Sequence, residues 1–315
     1  MQHSSHSFVS VPTDDTLIIG DSTRSKAVFA RLRDAHDLPT LPTIALEVSR
    51  LANDPLAGMS EIVRIIRNDP SMTGKILRVA NSAFYGMPRR VESLNMALVV
   101  LGMREVSSLV TSISVLGAFP KQVSAGGFQR EIFWEHSAGT GEIARVLASR
   151  LQLRLHGIEF TAGLLHNIGK IVLHQYYSTE LANAFNMSVQ EKIPSIVAEQ
   201  RILGTDHAEV GAWLCEKWSL PSSIVESIRY HHQPHLAPEH STLTAIVHLA
   251  SSLARGILDR DIRDMVNAHL AQDPAWEVLA KDNPNILTLD IPSFVAEIEE
   301  NIDRAREFIR LATTE

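Results

Sequence analysis

The 315-residue sequence is short of several features, and each scarcity excludes something. It has one cysteine, Cys215, so no internal disulfide can form. That is compatible with a reducing compartment. Cys215 lies in "GAWLCEKW", among helical apolar residues, and reads as a small buried hydrophobe, not a nucleophile. No run approaches the roughly 18 apolar residues that cross a bilayer, so no membrane span is expected. The opening "MQHSSHSFVSVPTDD" has no basic segment followed by an apolar core, so it does not read as a secretory signal. A cytoplasmic setting is expected. Strict alternation of apolar and polar residues between turns is missing, which argues against a sheet. A basic stripe is missing too. The longest basic run is Arg89-Arg90, and the net charge is -7. Residues 28–120 carry +2 and residues 121–315 carry -8. Duplex phosphates would favour a far stronger basic surface, so nucleic acid is disfavoured. The +2 balance and the helix break at Leu101-Gly102 leave it as a lesser reading for residues 28–120.

Apolar residues at helical spacing are plentiful. Ile44, Val48 and Leu51 share one face. "GMSEIVRIIRND" predicts a helix capped by Ser60, with Ile62, Ile65 and Ile66 inward. In "DPSMTGKILRVANS", Asp69 caps, Pro70 suits the first turn, and Met72, Ile76 and Val79 form the stripe. "SLNMALVVLGMREVSSLVTSISVL" predicts two helices broken near Gly102. "PKQVSAGGFQR" is the best internal boundary, with proline, paired glycines and polar filler. A second block predicts helices over 131–150, 158–176, 178–186, 194–203, 206–217, 221–230 and 241–258. "DNPNILTLDIPSF" then reads as a loop and "VAEIEENIDRAREFI" as a helix. The expected organisation is a mobile tail over 1–24, an N-terminal helical part over 25–120, a helical core over 121–258 and a helical extension over 259–315. The fold class is all-α.

Ten of the fourteen histidines lie between residues 136 and 248, and residues 37–135 contain none. A single histidine on an apolar helix is usually a satisfied core residue. Clustering singles out His136, at the start of an apolar helix, His166, in the middle of another, His207, in a first turn, and the doublet His231-His232. Imidazoles converging from separate helices are a usual way to build a metal site. They suit divalent transition ions such as zinc, iron or nickel. The doublet could instead be a solvated helix C-terminus, where protonated histidine favours the dipole.

"GLLHNIGKI" resembles the "GLLHDIGK" core of the HD superfamily of metal-dependent phosphohydrolases. "LPTLPTIALEVSRLANDP", "IIRNDPSMTGKILRVANSAFYG" and "ALVVLGMREVSSLV" resemble the HDOD domain, an HD-related output domain of bacterial signalling proteins. The likeness runs from about Leu38 to Ala254. It implies an HD-domain-like helical bundle with an N-terminal helical subdomain, in a bacterial regulatory setting. By the resemblance, His136 and His166 fall at the first two metal ligands, and Asn167 replaces the aspartate that gives the superfamily its name. His207, His231 and His232 match extra histidines of the two-metal branch that cleaves cyclic dinucleotides. Ser251, in "VHLASSLA", stands where the last aspartate ligand is expected. Ile132 stands where that branch has an acid, and the Gly-Tyr-Pro signature is missing.

Asn167 keeps the shape of an aspartate but brings no negative charge, and Ser251 offers a neutral hydroxyl. Two dications would then meet no carboxylate, and stripping them of water uncompensated is costly. One divalent transition metal (Zn, Fe, Ni or Mn) on neutral imidazoles is compatible with the residues. No catalytic residue is assigned. The leading expectation is a non-enzymatic regulatory module that contacts signalling proteins. The alternative is a metal-dependent phosphohydrolase of nucleotides or cyclic dinucleotides. Phe84, Tyr85 and Met87 beside Arg89 and Arg90 form a candidate contact patch, while Asn81 reads as a helix-end cap.

Overall fold

The computed structural model describes residues 22–119, 129–258, 272–281 and 302–313, with the single positions 266, 269, 270, 286, 290 and 293. The expected tail falls almost entirely outside the described residues, as do most of the "PKQVSAGGFQR" boundary and of "DNPNILTLDIPSF". Among the described residues every regular element is helical and there is no strand. The helices are α1 (Ser22–Asp34), α2 (Thr43–Ala52), α3 (Met59–Arg67), α4 (Pro70–Ala80), α5 (Leu94–Leu101) and α6 (Met103–Ala118). Then come α7 (Arg130–Arg150), α8 (Ile158–Leu165), α9 (Ile168–Tyr176), α10 (Ser178–Glu191), α11 (Ser195–Leu203), α12 (His207–Lys217) and α13 (Ser222–Tyr230). A 3-10 turn at Pro234–Leu236 precedes α14 (Ser241–Leu258), α15 (Ala275–Ala280) and α16 (Ile302–Thr313).

Local chemistry fixes several ends. Asp69 caps α4 by accepting the Met72 N–H at 2.9 Å, with Pro70 in the first turn. Gly102 has φ 92°, a value that suits glycine, and turns the chain by 115° between α5 and α6. The cap of α3 is Gly58, not Ser60: Glu61 Oε1 reaches back to the Gly58 N–H at 3.4 Å. Asn81 does close α4, donating to the Leu77 and Val91 carbonyls at 2.8 Å each and accepting the Val91 N–H at 2.7 Å. The helix expected over 158–176 is interrupted at His166-Asn167, where Asn167 leaves helical geometry at φ -102°, ψ 9°.

One apolar cluster runs from Val28 and Leu32 in α1, through Val48, Ile66, Ile76 and Val110, to Leu164, Val172, Leu214, Ile228 and Phe308. A second joins α7, α14 and α15 through Ile143, Leu147, Leu249, Leu253 and Trp276. α14 is long and apolar enough to cross a membrane, contrary to the expectation from run length, but 56% of it is buried between its neighbours.

The candidate contact patch is corrected here. Phe84 is 1% exposed, and its ring centroid lies 4.9 Å from Phe160 and 5.1 Å from Phe308. It is a core residue joining the segment after α4 to α8 and α16. Tyr85 donates to Glu105 Oε1 at 2.8 Å, and Met87 packs half-buried on the core. Arg89 and Arg90 are exposed. The two aromatics read as surface because they stand beside those arginines, but burying two large rings outweighs what leaving them in water could offer.

Candidate functional site

Two glycine crossings bring the histidine-bearing helices together. α7 meets α8 at Gly141 and Gly163, where a Cβ on Gly163 would come 2.7 Å from Gly141 Cα. α9 meets α12 at Gly169 and Gly211, where a Cβ on Gly169 would overlap the His207 carbonyl oxygen and come 2.7 Å from Gly211 N. Only residues without a Cβ permit such approaches. The first crossing sets α7, and with it His136, against the helix that ends at His166. The second sets the His166-Asn167 break against the start of α12, where His207 stands.

All five predicted histidines converge. Ring centroids lie 5.4 Å apart for His136 and His166, 5.1 Å for His166 and His231, and 5.4 Å for His231 and His207. His232 stacks 4.1 Å from His231 and 5.0 Å from His207. The doublet is therefore not a solvated helix end: His231 is buried and His232 half-buried. Ile132, by contrast, is exposed on α7 and supplies nothing to the row.

The row has two dissimilar ends. At the first, His166 Nδ1 donates to the Gly163 carbonyl at 2.7 Å, so Nε2 carries the lone pair. The Asn167 amide donates to that Nε2 at 2.7 Å, and Ser251 Oγ lies 3.0 Å from it and 3.4 Å from His136 Nε2. The Asn167 amide thus occupies the lone pair a metal would take, and the Ser251 hydroxyl stands beside it, between His166 and His136. Burial pulls the pKa of His136 down to about 3, so its ring is neutral.

At the second end, the candidate ligand atoms of His207, His231 and His232 lie within 4.8 Å of one another. His207 Nδ1 donates to Glu199 Oε2 at 2.6 Å, and the same oxygen takes the His207 N–H at 2.8 Å. His231 Nδ1 donates to the Ile228 carbonyl at 2.7 Å. His231 Nε2 is then a buried lone pair, and it has no hydrogen-bond partner among the described residues. His207 Nε2 and His232 Nε2 face each other at 3.0 Å. Burial holds all three imidazoles well below the ordinary histidine pKa, which leaves them neutral and able to ligate. A carboxylate behind a ligating imidazole is the usual outer-shell support of a metal site. The orphaned His231 nitrogen and this donor set fit one ion.

Glu199, Lys170, His248 and Asp273 complete the surroundings and were not singled out from sequence. Burial pushes the Glu199 carboxyl up to about 7 despite Lys170, and pulls the Lys170 ammonium down to about 8 despite Glu199. Lys170 stands one helical turn after His166, a spacing that could have marked it. No periodicity links Glu199 to His207, because a loop separates their helices.

His248 donates from Nδ1 to the His231 carbonyl at 2.7 Å and from Nε2 to Asp273 at 2.9 Å. Both ring nitrogens face acceptors, so the arrangement requires the imidazolium. Burial opposes that charge, but Asp273 and the carbonyl outweigh it and raise the pKa above the ordinary 6.5. Asp273 is itself partly desolvated, yet His248 lowers it below the ordinary 3.8. A raised histidine stabilises fully below 6.5 and loses that contribution as pH rises through its folded value, while a lowered carboxylate loses its own below 3.8. The pair therefore contributes most between about pH 4 and 6.5. Thermal melts should show Tm falling from pH 6 to 9, with that slope reduced in Asp273→Asn. An unchanged slope would remove the ion pair from the account.

Comparison with known proteins bears on the fold and the family. The HDOD domain profile matches residues 38–234. An uncharacterised protein of Treponema pallidum (strain Nichols) is 29% identical over 236 residues, 74% of this chain and 45% of that protein. The chain thus spans less than half the length of this curated relative. Among solved structures, an HDOD domain protein of unknown function from Geobacter sulfurreducens is 26% identical, with a TM-score of 0.73 over 90% of this chain and 98% of the other. A Shewanella amazonensis protein provisionally described as a phosphohydrolase is 26% identical, with a TM-score of 0.70 and the same coverage. A Marinobacter aquaeolei protein provisionally assigned to signal transduction is 25% identical, with a TM-score of 0.63 over 90% of this chain and 61% of the other. With its profile matched over more than half its length and its histidine row built on an all-helical HD-related scaffold, the chain belongs to the HDOD domain family.

Proposed function

We propose that the chain is a non-catalytic signalling module that acts through contacts with other proteins, on a scaffold inherited from metal-dependent phosphohydrolases. One observation carries the reading. Where the resemblance expects aspartates, the His166 lone pair is taken by the Asn167 amide, with the neutral Ser251 hydroxyl 3.0 Å away. A two-metal phosphohydrolase needs carboxylates there to gather dications and set an attacking water. A neutral, self-satisfied hydrogen-bond network does neither. The Marinobacter relative's provisional assignment to signal transduction supports the same direction.

The second end supports one metal. His207, His231 and His232 would hold a zinc, iron, nickel or manganese ion, and a metal so held supplies a Lewis acid able to lower the pKa of bound water to about 7. Here the chain's own residues hold neutral rings in place and back one of them with Glu199. That cluster keeps a second reading in view, a phosphohydrolase of nucleotides or cyclic dinucleotides, and the Shewanella relative's provisional description fits it.

Elemental analysis of the purified chain, with a screen of nucleotides and cyclic dinucleotides, separates the two. The expected result is at most one transition metal per chain, lost in His231→Ala, and no turnover. Asn167→Asp combined with Ser251→Asp should raise the metal content above that of the parent. Chelator-sensitive cleavage by the unmodified chain, lost in His166→Ala, would overturn the proposal.

A further inference from the structure

The doublet His231-His232 poses a geometric problem. Neighbouring residues on an α-helix point about 100° apart, so consecutive side chains do not face one site. His231 and His232 nonetheless stack at 4.1 Å, and their rings lie 5.4 Å and 5.0 Å from His207. The chain achieves this by leaving the helix at that point. α13 ends at Tyr230, and the Gln233 N–H closes a turn on the Tyr230 carbonyl at 2.8 Å. A helix end frees its last carbonyls, which need donors from elsewhere. For His231 the donor is a side chain, His248 Nδ1 on α14, at 2.7 Å. That bond falls on the peptide joining the two histidines, so it fixes how one is turned against the other.

His248 is held in turn from the C-terminal extension. Its Nε2 donates to Asp273 Oδ2 at 2.9 Å, while Asp273 Oδ1 accepts the Ala275 N–H at 2.8 Å at the start of α15. One carboxylate thus grips the imidazole with one oxygen and its own backbone with the other. α15 is itself seated: Trp276 is buried in the cluster with α7 and α14, and its Nε1 donates to the Leu270 carbonyl at 2.7 Å. A line of hydrogen bonds therefore runs from α15 to the His231-His232 peptide. His248 and Asp273 both lie beyond residue 234, where the HDOD profile ends. Groups behind metal ligands hold their direction, and losing one typically lowers metal affinity about 10–100-fold.

We infer that Asp273, in the C-terminal extension, is a positioning residue of the His207, His231 and His232 metal site: through His248 it fixes the peptide between the two consecutive histidines, so that both rings address one ion. The inference rests on the one-metal reading and names what controls that site. The test is cobalt(II) titration of the metal-free full chain, read by visible absorption, whose band shape reports ligand geometry. Asp273→Ala and His248→Phe should bind cobalt at least tenfold more weakly than the parent, with an altered band. Asp273→Asn keeps an oxygen for the Ala275 N–H and an amide for His248, and should recover most of what Asp273→Ala loses. Asp69→Ala is the stability control, since it strips the cap of α4, a helix that carries none of the histidines. It should leave affinity and band as in the parent. Melting curves check that each variant folds, and His248→Phe probes the same contact if Asp273→Ala does not. Parental affinity and band in the folded variants among Asp273→Ala and His248→Phe would overturn the inference. So would an equal loss in Asp69→Ala, or no recovery in Asp273→Asn. Failure of the one-metal reading looks different: the parent itself would take up no cobalt, or would keep it in His231→Ala, and the inference would fall with it.

Discussion

Gly169→Ala is expected to destabilise the chain by about 3 kcal/mol, the upper range for a methyl forced into a packed contact. The added Cβ would overlap the His207 carbonyl oxygen, and its next nearest neighbour is backbone as well, Gly211 N at 2.7 Å. Neither obstacle is the tip of a side chain that could swing away. α9 and α12 must therefore separate, and separation pulls His207 from Glu199 and from the His166 side of the row. Denaturant unfolding measures the loss, and metal content measures the site. Gly117→Ala is the matched control: it too lies in a helix, α6, but a Cβ there meets nothing within 4 Å. It should be neutral or gain up to about 1 kcal/mol from helix propensity. Equal behaviour of the two variants would mean that the glycine crossing does not set the site.

Much of the fold was legible because it rests on short-range rules. The cap at Asp69, the stripe Met72, Ile76, Val79 and the bend at Gly102 each follow from residues within one or two turns of chain. The five histidines were legible as a set because they crowd into one part of the chain after a stretch, residues 37–135, that has none. What was not legible is tertiary. His166-Asn167 breaks a pattern that periodicity reads as continuous, and at the break His166 bonds across the chain to Ser251. Phe84 is buried by α8 and α16, both far along the sequence. Glu199 and Asp273 reach histidines from other elements. The exposure of Val99 and Val100 on α5 is tertiary too, since periodicity gives a nearly all-apolar helix no outer face.

The second large effect is expected at Arg145. Its guanidinium donates to Glu142 from Nε at 2.9 Å and from Nη2 at 2.7 Å, reaches the Phe84 carbonyl at 3.3 Å, and lies 5.1 Å above the Phe84 ring. Glu142 is fully buried, and Glu159 and Glu105 are held nearby. One guanidinium thus serves three largely desolvated carboxyl groups. Burial raises all three pKa values, that of Glu159 to about 7, and Arg145 works against each rise. Arg145→Met keeps the aliphatic stem but leaves Glu142 charged and unpaired, a change that typically costs about 3–5 kcal/mol. The pH dependence has a definite sign. A carboxyl whose folded pKa is raised makes the native state bind more protons than the unfolded chain, so stability falls as pH rises from the ordinary 4.5 through the folded value. The variant should therefore be closest to the parent near pH 4.5 and furthest from it near pH 8. Adding Glu142→Gln to Arg145→Met removes the stranded charge and should restore about half of the loss. If the double variant is no more stable than the single one at pH 8, the damage lies in lost packing over Phe84 and not in the unpaired carboxylate. Denaturant midpoints at the two pH values decide between them.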